Sequence, residues 1–200
     1  MPRAPFAFGA DTNVLRPEGR EMSLLNFKDL PRQAARAVTA AAILTTFSVA
    51  AEAQGGPPSK VTFTGGRGPI SNTVAIPANA AVVWTSGTVP GVADASAPAG
   101  SRARYGDTKT QAISVLKAIE ARLKEHGLGM KDVIYLRAYL VPDKEMGGTI
   151  DTQGWNAAYG EFFNNATNPV KPARSTVGVS ALVSPDWLVE VEAFAVFPPQ

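Results

Sequence analysis

Cysteine is absent from this 200-residue chain, which excludes disulfides, thiolate metal sites and a cysteine nucleophile. Histidine occurs once, as His126. With no partner residue accompanying it, a helix-end or solvated role outweighs catalysis. An excess of one charge is missing too. Residues 54–200 carry 13 Lys/Arg against 12 Asp/Glu, a net of +1, and the close basic pair Arg102 and Arg104 reads as part of a solvated loop. Nucleic-acid binding needs a stripe of positive charge and is not supported. The longest charge-free stretch near the start, residues 37–51, falls short of the ~20 apolar residues of a membrane anchor. What remains, 45% hydrophobic and 18% charged, is the composition of an ordinary soluble globule.

The stretch at 37–51 has a different use. Lys28, Arg32 and Arg36 precede it, and Ala51-Glu52-Ala53 follows as a small-x-small exit before Gln54. A basic flank, a short apolar core and a small-residue exit make a secretory signal peptide. Residues 1–53 are therefore expected to be a leader and 54–200 the working domain, with Met22 an alternative start to Met1. The expected location is periplasmic or secreted, with no membrane attachment after cleavage; the alternative is cytoplasmic.

The rest reads in the order β-β-β-α-β-α-β-β. Short strands are expected at 60–64, 73–76 and 81–86, the last ending at Ser86-Gly87. A glycine there allows close backbone approach and an amide aimed at a ligand, or is a plain strand terminator. Residues 88–106 form a long loop without periodicity, either functional or disordered. Ala112, Leu116, Ile119 and Leu123 recur at helical spacing within 107–126. Asp107 or Thr108 can cap that helix, and Thr108 with Gln111 fits a capping box. Residues 133–141 alternate as a strand, with Ile134, Leu136, Ala138 and Leu140 on one face and Tyr135, Arg137 and Tyr139 on the other. A second helix over 152–164 buries Trp155, Tyr159 and Phe162 or Phe163. This is an α+β layer with two helices on one face of a sheet. The other face, with Tyr135, Tyr139, Leu188 and Phe194, is too apolar for solvent and points to oligomerisation.

The C-terminal stretch carries the chemistry. Two alternating runs flank Ser184-Pro185-Asp186 and read as a hairpin. Val177, Val179, Ala181 and Val183 share one face of the first. Val189, Val191, Ala193 and Ala195 share one face of the second, which turns Glu190 and Glu192 to the other. Arg174 opens the first run, just after Pro172. A guanidinium is a preformed fork for a carboxylate, and a nearby glutamate can steer or activate a water. A structural Arg–Glu pair is the competing reading.

The block Pro-Ala-Arg174-Ser-Thr-Val and the block Val-Glu190-Val-Glu-Ala-Phe-Ala-Val resemble the two C-terminal signatures of the reactive-intermediate deaminases (the RidA/YjgF/UK114 group). Ser86-Gly87 after a strand, Gln111 opening the first helix, and Trp155-Asn156-Ala-Ala-Tyr159 with Phe162-Phe163 in the second extend the resemblance over about residues 60–197. It implies a chorismate-mutase-like fold, a homotrimer with a site in each cleft between subunits, and hydrolysis of 2-imino or enamine acids to 2-keto acids and ammonia without cofactor. By this similarity Arg174 grips the substrate carboxylate and Glu190, rather than Glu192, holds the attacking water. Ser86, Gly87, Asn156 and Thr176 line the pocket. Ile70 stands where a pocket tyrosine is common, Thr176 where a cysteine is common, and Ala118 where an asparagine is common. The loops after Gly87 and Val141 look expanded. These departures suggest a divergent exported member. A trimeric, non-catalytic binder of small carboxylates is the rival reading. A ribonuclease, a label the family also carries, finds little support in the near-neutral charge.

Overall fold

The computed structural model describes residues 56–199; the expected leader lies outside them. Among the described residues six strands and two α-helices follow one another in the expected order: β1 (Thr62–Thr64), β2 (Thr73–Ala75), β3 (Val82–Trp84), α1 (Thr108–Glu125), β4 (Val133–Leu140), α2 (Thr152–Phe162), β5 (Ala173–Gly178) and β6 (Val189–Val196). β1 and β2 form a small antiparallel pair, and the other four strands form one sheet in the order β3-β6-β4-β5. No helix among the described residues is long and apolar enough to cross a membrane.

Helix α1 forms where its apolar period says it should. Ala112, Val115, Leu116, Ile119 and Leu123 are fully buried, each large one worth about 1.5–3 kcal/mol of transfer free energy. Asp107 is the N-cap, its carboxylate accepting from the Thr110 amide at 2.7 Å. The expected Thr108–Gln111 capping box does not form. Gln111 is instead fully buried, donating to the carbonyls of Gly106 and Asp186 and accepting from the Leu188 amide at 2.7 Å. It ties the helix start to the segment leading into β6. Helix α2 lies alongside α1 and ends at Phe162, two residues short of expectation, with Trp155, Tyr159 and Phe163 in the core.

The sheet corrects the expected hairpin. β5 runs parallel to β4, Arg174 opposite Leu136, with α2 as the crossover. β6 lies on the other side of β4 and antiparallel to it, Ala193 opposite Leu136 and Glu190 opposite Tyr139. Burial explains the sorting. β4 and β6 each bury one whole face, whereas Ser175 to Gly178 of β5 are exposed, a composition suited to an edge. The first run also stops at Gly178. Val183, expected on its apolar face, is 93% exposed in the connection that passes from β5 to β6. A bulge between Val133 and Tyr135 brings Val133 into the core in place of the expected Ile134. The outer sheet face is aromatic, with Trp84 and Tyr135 both edge-on to Phe194 and Trp84 71% exposed. Leu188, expected there, is buried in the core instead.

The 88–106 segment is held in place by its arginines. Arg104 donates to the Ala97 carbonyl at 2.9 Å, and Arg102 pairs with buried Asp143 at 2.6 Å. Of the pair read as solvated, Arg104 thus braces this long loop internally and Arg102 joins it to the loop after β4.

Candidate functional site

The sequence-expected residues fall into two groups. The first is a bulge. Thr85 donates its amide to the Ala193 carbonyl, and its hydroxyl accepts from the Ala193 amide at 2.9 Å. The ladder resumes with Thr88 opposite Val191. Ser86 and Gly87 therefore stand opposite the single residue Glu192, the arrangement of a β-bulge, which re-aims backbone groups and is common beside active sites. Glu190 lies against Gly87: a Cβ at Gly87 would collide with its carboxylate, whose Cδ would be 2.9 Å away. The absence of a side chain at Gly87 is what leaves room for that carboxylate.

The second group surrounds Arg174. Its Nη2 donates to Asn156 Oδ1 at 2.9 Å. The guanidinium carbon stands 4.4 Å from the Tyr159 ring centroid and 5.5 Å from that of Trp155. Nε and Nη1 are buried and have no hydrogen-bond partner among the described residues. Burial pulls the Arg174 pKa below its ordinary value, and burial pushes that of Tyr159 up to about 12. The Tyr159 hydroxyl donates to the Pro69 carbonyl at 3.1 Å, and Ser71 donates to the Pro172 carbonyl at 3.4 Å. Half-buried Ile70 is thereby held between α2 and the entry to β5. Thr176 is exposed two residues beyond Arg174, on the same strand face. The sequence pattern identified Trp155 and Tyr159 as core residues, which they are. It missed that their rings also form a platform for a cation, since that depends on where β5 crosses α2.

The two groups do not meet within one chain. Residues opposite one another in a sheet share a face. Arg174 shares that of Leu136, under the helices, and Glu190 shares that of Tyr139, away from them. They are also two strand spacings apart, roughly 10 Å. The competing structural reading fails on the same geometry: Glu192 pairs with Arg137 at 3.3 Å, and Arg174 has Asn156 as its partner. Among the described residues no cluster of His, Asp or Glu is arranged to hold a metal ion.

One face thus holds a half-buried cation with two buried nitrogens unpaired among the described residues, a group able to take a carboxylate, and the other holds a carboxylate beside a glycine bulge, a group able to hold a water. Residues 68–197 match the family model described as Endoribonuclease L-PSP, and the chain belongs to that family, the reactive-intermediate deaminase group its motifs resemble. A RutC family protein of Synechocystis is 39% identical over 93 residues, 46% of this chain and 64% of that protein. One from Pyrococcus abyssi is 38% identical over 90 residues, 45% of this chain and 62% of that protein. The matched stretch is thus under two thirds of these relatives' length. Among solved structures, the Rid family protein YyfB from Yersinia pestis is 26% identical with a TM-score of 0.49, covering 64% of this chain and 87% of that one. The YjgF gene product of E. coli is 32% identical with a TM-score of 0.43, covering 57% and 80%.

Proposed function

We propose that this chain hydrolyses small 2-imino or enamine acids to 2-keto acids and ammonia, in clefts between copies of itself. The observation that carries the reading is Arg174, a half-buried guanidinium with two buried nitrogens that have no protein partner among the described residues. Such donors are costly to bury unless a ligand accepts from them, and the group they match is a carboxylate. The Tyr159 and Trp155 rings and Asn156 fix the guanidinium in one pose, so little orientation is lost on binding.

An imine carbon next to a carboxylate is already electrophilic, so the protein needs only to orient it and bring a water. Glu190 accepts a proton from that water as its oxygen bonds to the imine carbon. That proton passes to nitrogen, giving the carbinolamine; the proton of its new hydroxyl then follows to nitrogen by way of Glu190, the C–N bond breaks, and ammonia leaves as the carbonyl forms. The Gly87 amide, freed from the ladder by the bulge, donates to charge that develops as the tetrahedral carbon forms. Because Arg174 and Glu190 occupy opposite sheet faces, one copy supplies the arginine half and its neighbour the carboxylate half. Repeated head to tail, this contact closes into a ring, and we take the ring to be a trimer.

Ammonia release from freshly generated imines, measured against buffer, tests the chemistry. Subunit mixing tests the division of labour. Arg174→Ala and Glu190→Gln proteins, each impaired by at least about tenfold alone, should recover about a quarter of wild-type activity when dissociated and reassembled in equal amounts, because a site of paired halves is intact with that probability. Mixed trimers without recovered activity would overturn the split site. A folded wild-type trimer that releases no ammonia yet binds 2-keto acids would favour the rival reading, a binder without catalysis.

A further inference from the structure

A groove of about 450 Å³ lies behind the Ser86–Gly87 bulge, lined by Val83, Trp84, Thr85, Arg122, Glu125 and His126 besides the bulge itself. Open space backs the bulge here, so hydrogen bonds rather than packing must set its shape. Thr88 supplies them. It is 1% exposed, and its backbone exchanges both hydrogen bonds with Val191, at 2.9 and 3.0 Å. Its hydroxyl donates to the Ser86 carbonyl at 3.2 Å and accepts from Arg122 Nη1 of α1. A hydroxyl has one proton to give. Arg122 can only donate, so its bond leaves that proton for Ser86. Arg122, Thr88 and Ser86 thus form a directed chain from the helix to the bulge.

We propose that Arg122 and Thr88 are positioning residues: through the Ser86 carbonyl they fix the orientation of the Gly87 amide and the seat of the Glu190 carboxylate packed on it. The inference rests on the reading of Glu190 as the water-holding group. Neither residue touches the Arg174 half, so they act on the chemical step and leave carboxylate binding alone. A bulge that relaxes by even about 1 Å misplaces the water, and misplacement on that scale can cost about a hundredfold in rate.

The test uses Thr88→Val, Thr88→Ser, Arg122→Met and Arg122→Lys in the full chain. Thr88→Val and Arg122→Met should each lower kcat at least about tenfold while KM stays within about threefold, the signature of a contact that acts in the transition state. Thr88→Ser should restore kcat, and Arg122→Lys should restore part of it. Unchanged kcat in both Thr88→Val and Arg122→Met would overturn the relay, as would a loss shared equally by kcat and KM. Arg122 is at the surface, so its variants remain informative if Thr88→Val does not fold. The Gly87 amide resonance is followed in the same samples. It should shift in Thr88→Val and Arg122→Met and return in Thr88→Ser. A Gly87 resonance that does not move would overturn the relay even if wild type releases no ammonia, an outcome that by itself would remove only the proposed reaction.

Discussion

Replacing Arg174 separates a ligand-binding arginine from a structural one. Its guanidinium has a single protein acceptor, Asn156 Oδ1, and two buried nitrogens with none among the described residues. A substrate carboxylate accepting from them gains charge-assisted hydrogen bonds worth roughly 1.5–3 kcal/mol each. One bond lost is about a tenfold loss in kcat/KM, and two about a hundredfold or more, since ~1.4 kcal/mol is a factor of ten. Arg174→Ala should therefore fall in that range. Arg174→Lys should not recover, because an ammonium cannot reproduce the planar fork or its stacking on Tyr159.

Stability should respond much less. Alanine forfeits the cation–π contacts with Tyr159 and Trp155, of order 0.5–2 kcal/mol, and strands one Asn156 oxygen near the surface. It also relieves the burial that holds the arginine's pKa down. These effects oppose each other, so Tm should move by only a few degrees. Initial rates of ammonia release, thermal unfolding and sedimentation belong on one sample. A folded, trimeric Arg174→Ala protein that hydrolyses imines at the wild-type rate would refute the reasoning. A variant that unfolds outright would return Arg174 to a structural role.

Gly87→Ala puts a methyl where the Glu190 carboxylate lies; the carboxylate swings aside, so kcat should drop while stability stays within about 1 kcal/mol, read by turnover and chemical denaturation. Gln111→Leu removes a buried amide that satisfies two carbonyls and the Leu188 amide. Urea unfolding should show a loss of at least about 2 kcal/mol, since orphaned buried groups cost ~1–3 kcal/mol each. Mass spectrometry of the native protein should find Gln54 or a close neighbour at the N-terminus; an intact Met1 or Met22 terminus on the mature protein would rule out export.

Much of this fold could be read from period alone. The 3.6-residue recurrence from Ala112 to Leu123 specifies a buried helix, and the strict alternation of β6 puts Val189, Val191, Ala193 and Ala195 inside. Alternation states that a segment is a strand and which face it buries, but not which strand lies beside it. That is why β5 and β6, adjacent in sequence, read as a hairpin. The missing information was energetic. A segment with Ser175 and Thr176 beside Arg174 tolerates an edge, whereas β4 and β6 have an apolar face that only the centre of the sheet can cover. Gln111 was misread for a related reason: its partners Asp186 and Leu188 lie more than seventy residues away, and a cap motif records only local contacts. Arg174, Gly87 and Glu190 were identified as candidates by their motifs, yet nothing local reveals that they fall in two groups.

That division follows from the parity of the sheet. Arg174 stands opposite Leu136, and Leu136 stands opposite Ala193, so Arg174 shares a face with every second residue of β6 counted from Ala193. Those residues are Val189, Val191 and Ala195, the ones the core requires. Glu190 and Glu192 are an odd number of positions from Ala193 and must point the other way. A one-residue slip of β6 would bring the carboxylates round to the face of Arg174, but it would expose the valines and bury two glutamates beneath α1. Ionised carboxylates buried without partners cost far more than any site geometry could recover. The apolar alternation that makes β6 a central strand therefore forbids an Arg174–Glu190 site inside one chain, and only a second copy, offering its outer sheet face to the Arg174 edge of the first, can bring the two groups together.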